Sequence, residues 1–187
     1  MGLLNRHKVK QFLMTGVFAT PEDFLRRKGV KLGKHCSVSP CQLSTSEPWL
    51  IEIGDYCRIG KGTTFYTHGI IYSIRAQKND PDFDFFGKVK IGNYVAIGED
   101  CKILAGVTIG DNVIVAAGTV VSKSVPSGYI VGGNPMRHIG YVDEWYENIR
   151  DNYDLRTGRW DLERKKEYLL SLPDSKFVKK DYVKSKD

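Results

Sequence analysis

Between residues 89 and 125, in VKIGNYVAIGEDCKILAGVTIGDNVIVAAGTVVSKSV, an aliphatic residue returns at every sixth position. An amphipathic helix repeats near 3.6 residues and a half-buried strand every 2, so neither element accounts for the spacing. Cut into sixes, the stretch reads IGNYVA, IGEDCK, ILAGVT, IGDNVI, VAAGTV and VSKSVP, opening with Ile or Val at 91, 97, 103, 109, 115 and 121. The fifth place is always small or β-branched: Val95, Cys101, Val107, Val113, Thr119 and Val125. Blocks in unbroken register form an internal repeat, and a repeat sets the architecture before any local signal does.

The rhythm also runs upstream. LGKHCS (32–37) and VSPCQL (38–43) fit it, an irregular STSEPWL follows, and IGDYCR (53–58), IGKGTT (59–64) and FYTHGI (65–70) resume it. Each block reads as a short strand and a turn whose first residue points at a shared axis. Three blocks make one triangular coil, and stacked coils pair as parallel strands. One coil cannot bury its aliphatics alone, so several must stack. The expectation is an all-β parallel β-helix over 32–140, interrupted by a loop at 72–88.

Open coil ends expose unpaired strand edges and need covers. Residues 1–31 are expected to form an N-terminal helical cap, because Thr20-Pro21-Glu22-Asp23 has the pattern of a helix start and Gly29 that of a stop. Residues 141–187 are expected to form a C-terminal helical extension, with helices in DEWYENIR and DLERKKEYLLSL, a stop at Pro173, and a loose basic tail.

Composition narrows the function. The 187 residues suffice for one domain with its own core, and no apolar run approaches the roughly 20 residues a membrane helix needs. The opening MGLLNRHKVK lacks the apolar centre of a signal peptide, and Arg6 stands where a myristoylation site wants Ser or Thr. The expected compartment is the cytoplasm. Four cysteines form no CxxC pair and no zinc spacing; Cys36, Cys57 and Cys101 take fifth places and read as small inward residues, so no metal is expected. The net charge of +6 carries no nucleic-acid motif with it, and a polyanionic small molecule is a better partner than DNA or RNA.

Taken with GTVVSKSVPSGYIVGGNPMRHIG, the repeats resemble those of the hexapeptide-repeat acyltransferases, in the branch of galactoside, maltose, xenobiotic and polysaccharide O-acetyltransferases. The resemblance covers roughly 32–140 and is strongest from 89. It implies a left-handed β-helix, a homotrimer, and acetyl-CoA as acyl donor in a groove between neighbouring prisms. It also implies a histidine base on a coil edge before an extended loop. Of His7, His35, His68 and His138, only His68 has that setting, at the fourth place of FYTHGI and just before 72–88. Direct acetyl transfer needs such a base, and histidine serves at neutral pH.

For the coenzyme, Ala117 and Gly118 are small enough to admit a pantetheine arm. Ser122 and Lys123 match the family's Thr/Ser-Lys, Arg137 matches its basic residue after Gly-Asn-Pro, and Asn134 and Pro135 shape that turn. Glu99, one coil before Ala117, departs from the small residue usual there. It is a surface carboxylate, narrows the groove, or orients His68. On the acceptor side, Phe83, Phe85 and Phe86 could stack on a sugar while Asp82 and Asp84 accept its hydroxyls; the aromatics could equally pack against a neighbouring subunit.

The leading expectation is an acetyl-CoA-dependent O-acetyltransferase acting on a sugar or glycan hydroxyl in surface-polysaccharide biosynthesis. Alternatives are transfer to the amine of a nucleotide-linked amino sugar, a xenobiotic acetyltransferase, a carrier-protein donor, and a non-catalytic trimeric scaffold. A γ-type carbonic anhydrase needs three zinc histidines, which the spacing of these four does not supply.

Overall fold

The computed structural model describes residues 20–69, 71–180 and 182. His7 and the first part of the expected cap lie outside the described residues, as do 181 and 183–187 of the expected tail. The chain divides into two compact units, 1–142 and 143–187.

In the first unit the repeat becomes short strands: β1 (Lys31–Leu32), β2 (Ser37–Val38), β3 (Gln42–Leu43), β4 (Ile51–Ile53), β5 (Arg58–Ile59) and β6 (Thr64–Phe65). After the insert come β7 (Val89–Ile91), β8 (Ala96–Ile97), β9 (Lys102–Ile103), β10 (Thr108–Ile109), β11 (Ile114–Val115), β12 (Val120–Val121), β13 (Tyr129–Gly132) and β14 (Arg137–Tyr141). Through β12, every third strand falls in the same sheet. The first sheet is β1-β4-β7-β10, the third is β3-β6-β9-β12, and the second is β2-β5-β8-β11-β13, closed by β14. All pairings are parallel except β13 with β14, which is antiparallel. The result is a three-sided parallel β-helix whose coils stack in register, with Lys90 opposite Thr108, Ala96 opposite Ile114 and Lys102 opposite Val120.

First-place residues fill the axis. Ile59, Phe65, Ile97, Ile103, Ile109, Val115 and Val121 are all buried, and burying each such side chain is worth about 1.5–3 kcal/mol. Fifth-place residues Cys57, Thr63 and those from Val95 to Val125 are buried too, and the polar ones reach a neighbouring carbonyl, whereas Cys36 and Gly69 are partly buried and Gln42 is exposed. Cys57 Sγ donates to Gly92 O at 3.1 Å, Cys101 Sγ to Ala116 O at 3.2 Å and Thr63 Oγ1 to Gly98 O at 3.1 Å. Third-place polar side chains satisfy the turn amides along one edge. Asp55 accepts from Lys34 N at 2.7 Å, Asn93 from Asp55 N at 2.9 Å, Asp111 from Asn93 N at 2.6 Å and Ser127 from Asp111 N at 2.9 Å.

One coil end is covered by α1 (Pro21–Lys28). Thr20 and Asp23 form its reciprocal capping box at 3.2 Å each, Gly29 ends it at φ 100°, and Leu25 is fully buried. The insert is not wholly loop: α2 (Tyr72–Lys78) occupies its first half and ends on left-handed Asn79. After β14 come the helices α3 (Val142–Tyr153) and α4 (Leu162–Ser171), and Asp161 caps α4 by accepting from Arg164 N at 3.0 Å. Trp160 packs on Tyr168 and under the Arg164 guanidinium.

Candidate active site

The third sheet is bounded by two edges. One enters it from the second sheet and carries Glu99, Ala117 and Gly118, all exposed. The other leaves it toward the first sheet and carries His68, Ser122 and Lys123. Glu99 and Ala117 are stacked coil on coil, since Gly118 N donates to Glu99 O at 2.8 Å. The coils meet closely here: a Cβ on Gly98 would sit 2.5 Å from Ala117 N. Asn134, Pro135 and Arg137 are exposed at the β13–β14 turn. That turn is tied to the third sheet, because Gly133 N donates to Thr119 Oγ1 at 3.2 Å and Val120 N to Gly133 O at 3.4 Å.

Buried Phe65 anchors the strand before His68, and Tyr66 N donates to Ile103 O at 2.9 Å. The insert then returns beside the histidine. Gly87 N donates to Thr67 O at 2.7 Å, His68 forms an antiparallel bridge with Phe86, and the two rings meet edge to face with centroids 6.3 Å apart.

His68 Nδ1 lies 2.8 Å from Glu47 Oε2. The same oxygen accepts from Thr45 Oγ1 at 3.0 Å and from buried Thr67 Oγ1 at 3.1 Å, while Glu47 N donates to Thr45 Oγ1 at 2.9 Å. The two threonine hydroxyls are themselves in contact. The hydrogen bond from His68, followed by those from Thr45 and Thr67, holds the Glu47 carboxyl below the ordinary carboxylate range despite the opposing effect of burial. An ionised carboxylate can only accept, so Nδ1 carries the proton, and in the neutral ring the lone pair is on Nε2. With 34% of its side chain exposed, His68 can present that nitrogen to a substrate.

Glu47 is the partner of His68 that the repeat pattern does not reveal. Within the chain Glu99 stands on a different edge from His68, and the carboxylate orienting the imidazole is Glu47. His35 instead stacks on Tyr56 at 4.7 Å, and His138 sits between Tyr129 and Tyr141 at 4.4 and 4.7 Å. Phe83, Phe85 and Phe86 are about half exposed, and Asp82 is exposed. Asp84 pairs with Arg75 at 3.2 Å, and Arg75 Nε donates to Phe83 O at 2.6 Å, so both contacts tie the insert to α2. Among the described residues no three His, Cys, Asp or Glu side chains cluster to hold a metal, and no helix is long and apolar enough to cross a membrane.

Residues 88–123 match the bacterial transferase hexapeptide family, described by six repeats. Protein CapG of Staphylococcus aureus is 42% identical over 80% of this chain and 87% of its own length. The chain belongs to the hexapeptide-repeat transferase family. Its β-helix is therefore the left-handed kind that the family builds, against the right-handed rule for crossovers between parallel strands. The provisionally named colanic acid biosynthesis acetyltransferase WcaF of Escherichia coli (strain K12) is 32% identical over 59% of this transferase and 69% of its own length. Among solved structures, a hexapeptide-repeat acetyltransferase of Vibrio cholerae complexed with acetyl-CoA superposes with a TM-score of 0.52 at 32% identity. This transferase spans 61% of that chain, which covers 62% of this one.

Proposed function

We propose that this chain transfers an acetyl group from acetyl-CoA to a hydroxyl of a sugar in surface-polysaccharide biosynthesis, with His68 as general base. The observation that carries the reading is the Glu47–His68 pair at 2.8 Å, which fixes the tautomer and leaves Nε2 available. In the proposed step Nε2 takes the acceptor's hydroxyl proton as its oxygen attacks the thioester carbonyl. The C–S bond then breaks, and the departing thiolate receives the proton from the imidazolium. The products are an acetate ester and free coenzyme A. Glu47 keeps the ring aligned and offsets the charge it acquires in between.

The donor reading is supported by exposed Ala117 and Gly118, which leave room for an extended arm, and by Ser122, Lys123 and Arg137 as phosphate partners. Acetyl-CoA in the Vibrio cholerae structure supports it too, and the WcaF likeness supports a polysaccharide acceptor. The third sheet offers two edges and an open face, so a second wall for the groove would come from a neighbouring copy; we assign a homotrimer. Asp82, Phe83, Asp84, Phe85 and Phe86 would line the acceptor side, and the reading places the protein in the cytoplasm with its donor.

The test is calorimetric titration with acetyl-CoA followed by a thiol-release assay on a sugar panel. Micromolar binding, about −8 kcal/mol, is expected for both native protein and His68→Ala. Turnover should fall about 10²–10⁴-fold in the variant. No binding at millimolar coenzyme would sink the reading.

A further inference from the structure

Resting on that transferase reading, we infer that Lys102 binds an anionic group of the acceptor, so that the acceptor is an acidic sugar bearing a carboxylate or a phosphate ester. Lys102 lies on β9 with Ile103 turned inward and buried, so its own side chain stands on the outer face of the third sheet. Thr64 and Val120 flank it in register on either side. That face lies between the edge of Ala117 and the edge of His68.

Lys102 is a half-buried residue, and its ammonium donates to a neutral oxygen, Thr64 Oγ1 at 2.9 Å. Thr64 is itself 2% exposed and passes its proton to Gly62 O at 3.3 Å. Among the described residues Lys102 makes no ion pair. A cation whose side-chain partner is a neutral hydroxyl gains from an added anion, because a charge-assisted hydrogen bond is the stronger one. An unconstrained lysine would extend into solvent. This one instead folds back along the sheet onto the coil that carries His68, away from the coil that carries Ser122 and Lys123.

That direction decides which anion it serves. Neighbouring coils lie about 4.8 Å apart, and His68 follows Thr64 by four residues on the same coil. The acetyl group and the pantetheine arm beside His68 are uncharged, and the coenzyme's phosphates are assigned to Ser122, Lys123 and Arg137. The molecule left to bring a negative charge to the level of His68 is the acceptor.

The experiment uses sugars that differ in one charge: methyl glucuronoside against methyl glucoside, methyl galacturonoside against methyl galactoside, and glucose 1-phosphate. Native protein, Lys102→Met and Lys102→Arg are compared by thiol release. Binding of the same sugars to coenzyme A-saturated protein is followed by ligand-observed NMR, which needs no turnover. Native protein should favour an acidic sugar over its neutral partner by about tenfold or more in kcat/KM. Lys102→Met should erase that preference through KM, Lys102→Arg should restore much of it, and acetyl-CoA affinity should not change in either.

An equal loss on neutral and acidic sugars would overturn the inference in favour of a role in the reaction itself. A loss of acetyl-CoA affinity would reassign Lys102 to the coenzyme's phosphates. No binding of any acidic sugar would overturn it as well. Binding of acidic sugars that depends on Lys102, with no sugar acetylated, would count against the transfer reading and leave the anion site standing.

Discussion

Glu47 and His68, 21 residues apart in sequence, meet through a 2.8 Å hydrogen bond because an insert lengthens the first coil. The threonines that hold Glu47 come from both sides of the contact: Thr45 from its own coil and Thr67 from the histidine's. His68 is therefore positioned by two coils rather than by its own turn. Pairing of the coils and alignment of the imidazole become one event.

Replacing Glu47 by Ala should therefore act on turnover and not on the coenzyme. Losing the partner that fixes the tautomer should lower kcat about 10²-fold or more. The acetyl-CoA dissociation constant should stay within a factor of two of native, about 0.4 kcal/mol. Thiol-release kinetics and calorimetry on the same preparations check it. A matching loss in coenzyme affinity would mean that Glu47 shapes the groove.

The same contact should leave a mark on stability against pH. Glu47's carboxyl is depressed in the folded protein by its hydrogen bond from His68. Its stabilising contribution is then fully present above the unfolded value, about 4.3, and is lost as pH falls through the lower folded value. Urea midpoints of native protein and Glu47→Gln should converge as pH falls from about 4.3 through the lower folded value. Divergence on acidification would contradict the assigned ionised state.

The repeat made most of this architecture readable. First-place aliphatics and fifth-place small residues from 91 to 125 predict the buried axis, and those positions are buried from Ile91 to Val125. Glu47 was not readable because a period of eighteen, the spacing of Asn93 and Asp111, counts back from His68 to Leu50. The lengthened first coil shifts the pairing to 21 residues where Lys31 stands opposite Glu52 and to 22 where Gln42 stands opposite Thr64, and the His68 partner lies three residues earlier than a period of eighteen would put it. Carrying that shift through STSEPWL is the signal that would have found it. The insert's helix α2 is too short to show a helical period and has no side-chain cap at its start. Strand β14 is exposed along almost its whole length, so no alternation betrays it.

Two small changes on the Ala117 edge should behave differently. A methyl on Gly98 would meet backbone, 2.5 Å from Ala117 N and 2.7 Å from its Cα. Gly98→Ala must push two coils apart, at about 1–3 kcal/mol, and should weaken acetyl-CoA binding as Ala117 moves. Gly118→Ala meets no atom within 4 Å but would force a side chain onto a backbone at φ +71°. It should cost about 1 kcal/mol and leave the groove's spacing unchanged. Thermal midpoints separate the two, with the larger fall expected for Gly98→Ala; a larger fall for Gly118→Ala would refute the stacking argument.

The thiols report whether the axis stays closed. Burial pushes Cys41 and Cys57 up to about 11, and raises Cys101 as well. Thiolate is the reactive form, so at pH 8 these three are almost entirely in the inert state. Cys57 and Cys101 are also shut inside the prism at 1% and 0% exposure. A disulfide-exchange reagent at pH 8 should therefore modify at most one of the four thiols, Cys36, in the first minutes, and all four once guanidinium has unfolded the chain. Native-state labelling at Cys57 or Cys101, read by peptide mass, would show that the coils part. It would also locate the opening, since Cys57 bonds across to Gly92 and Cys101 to Ala116.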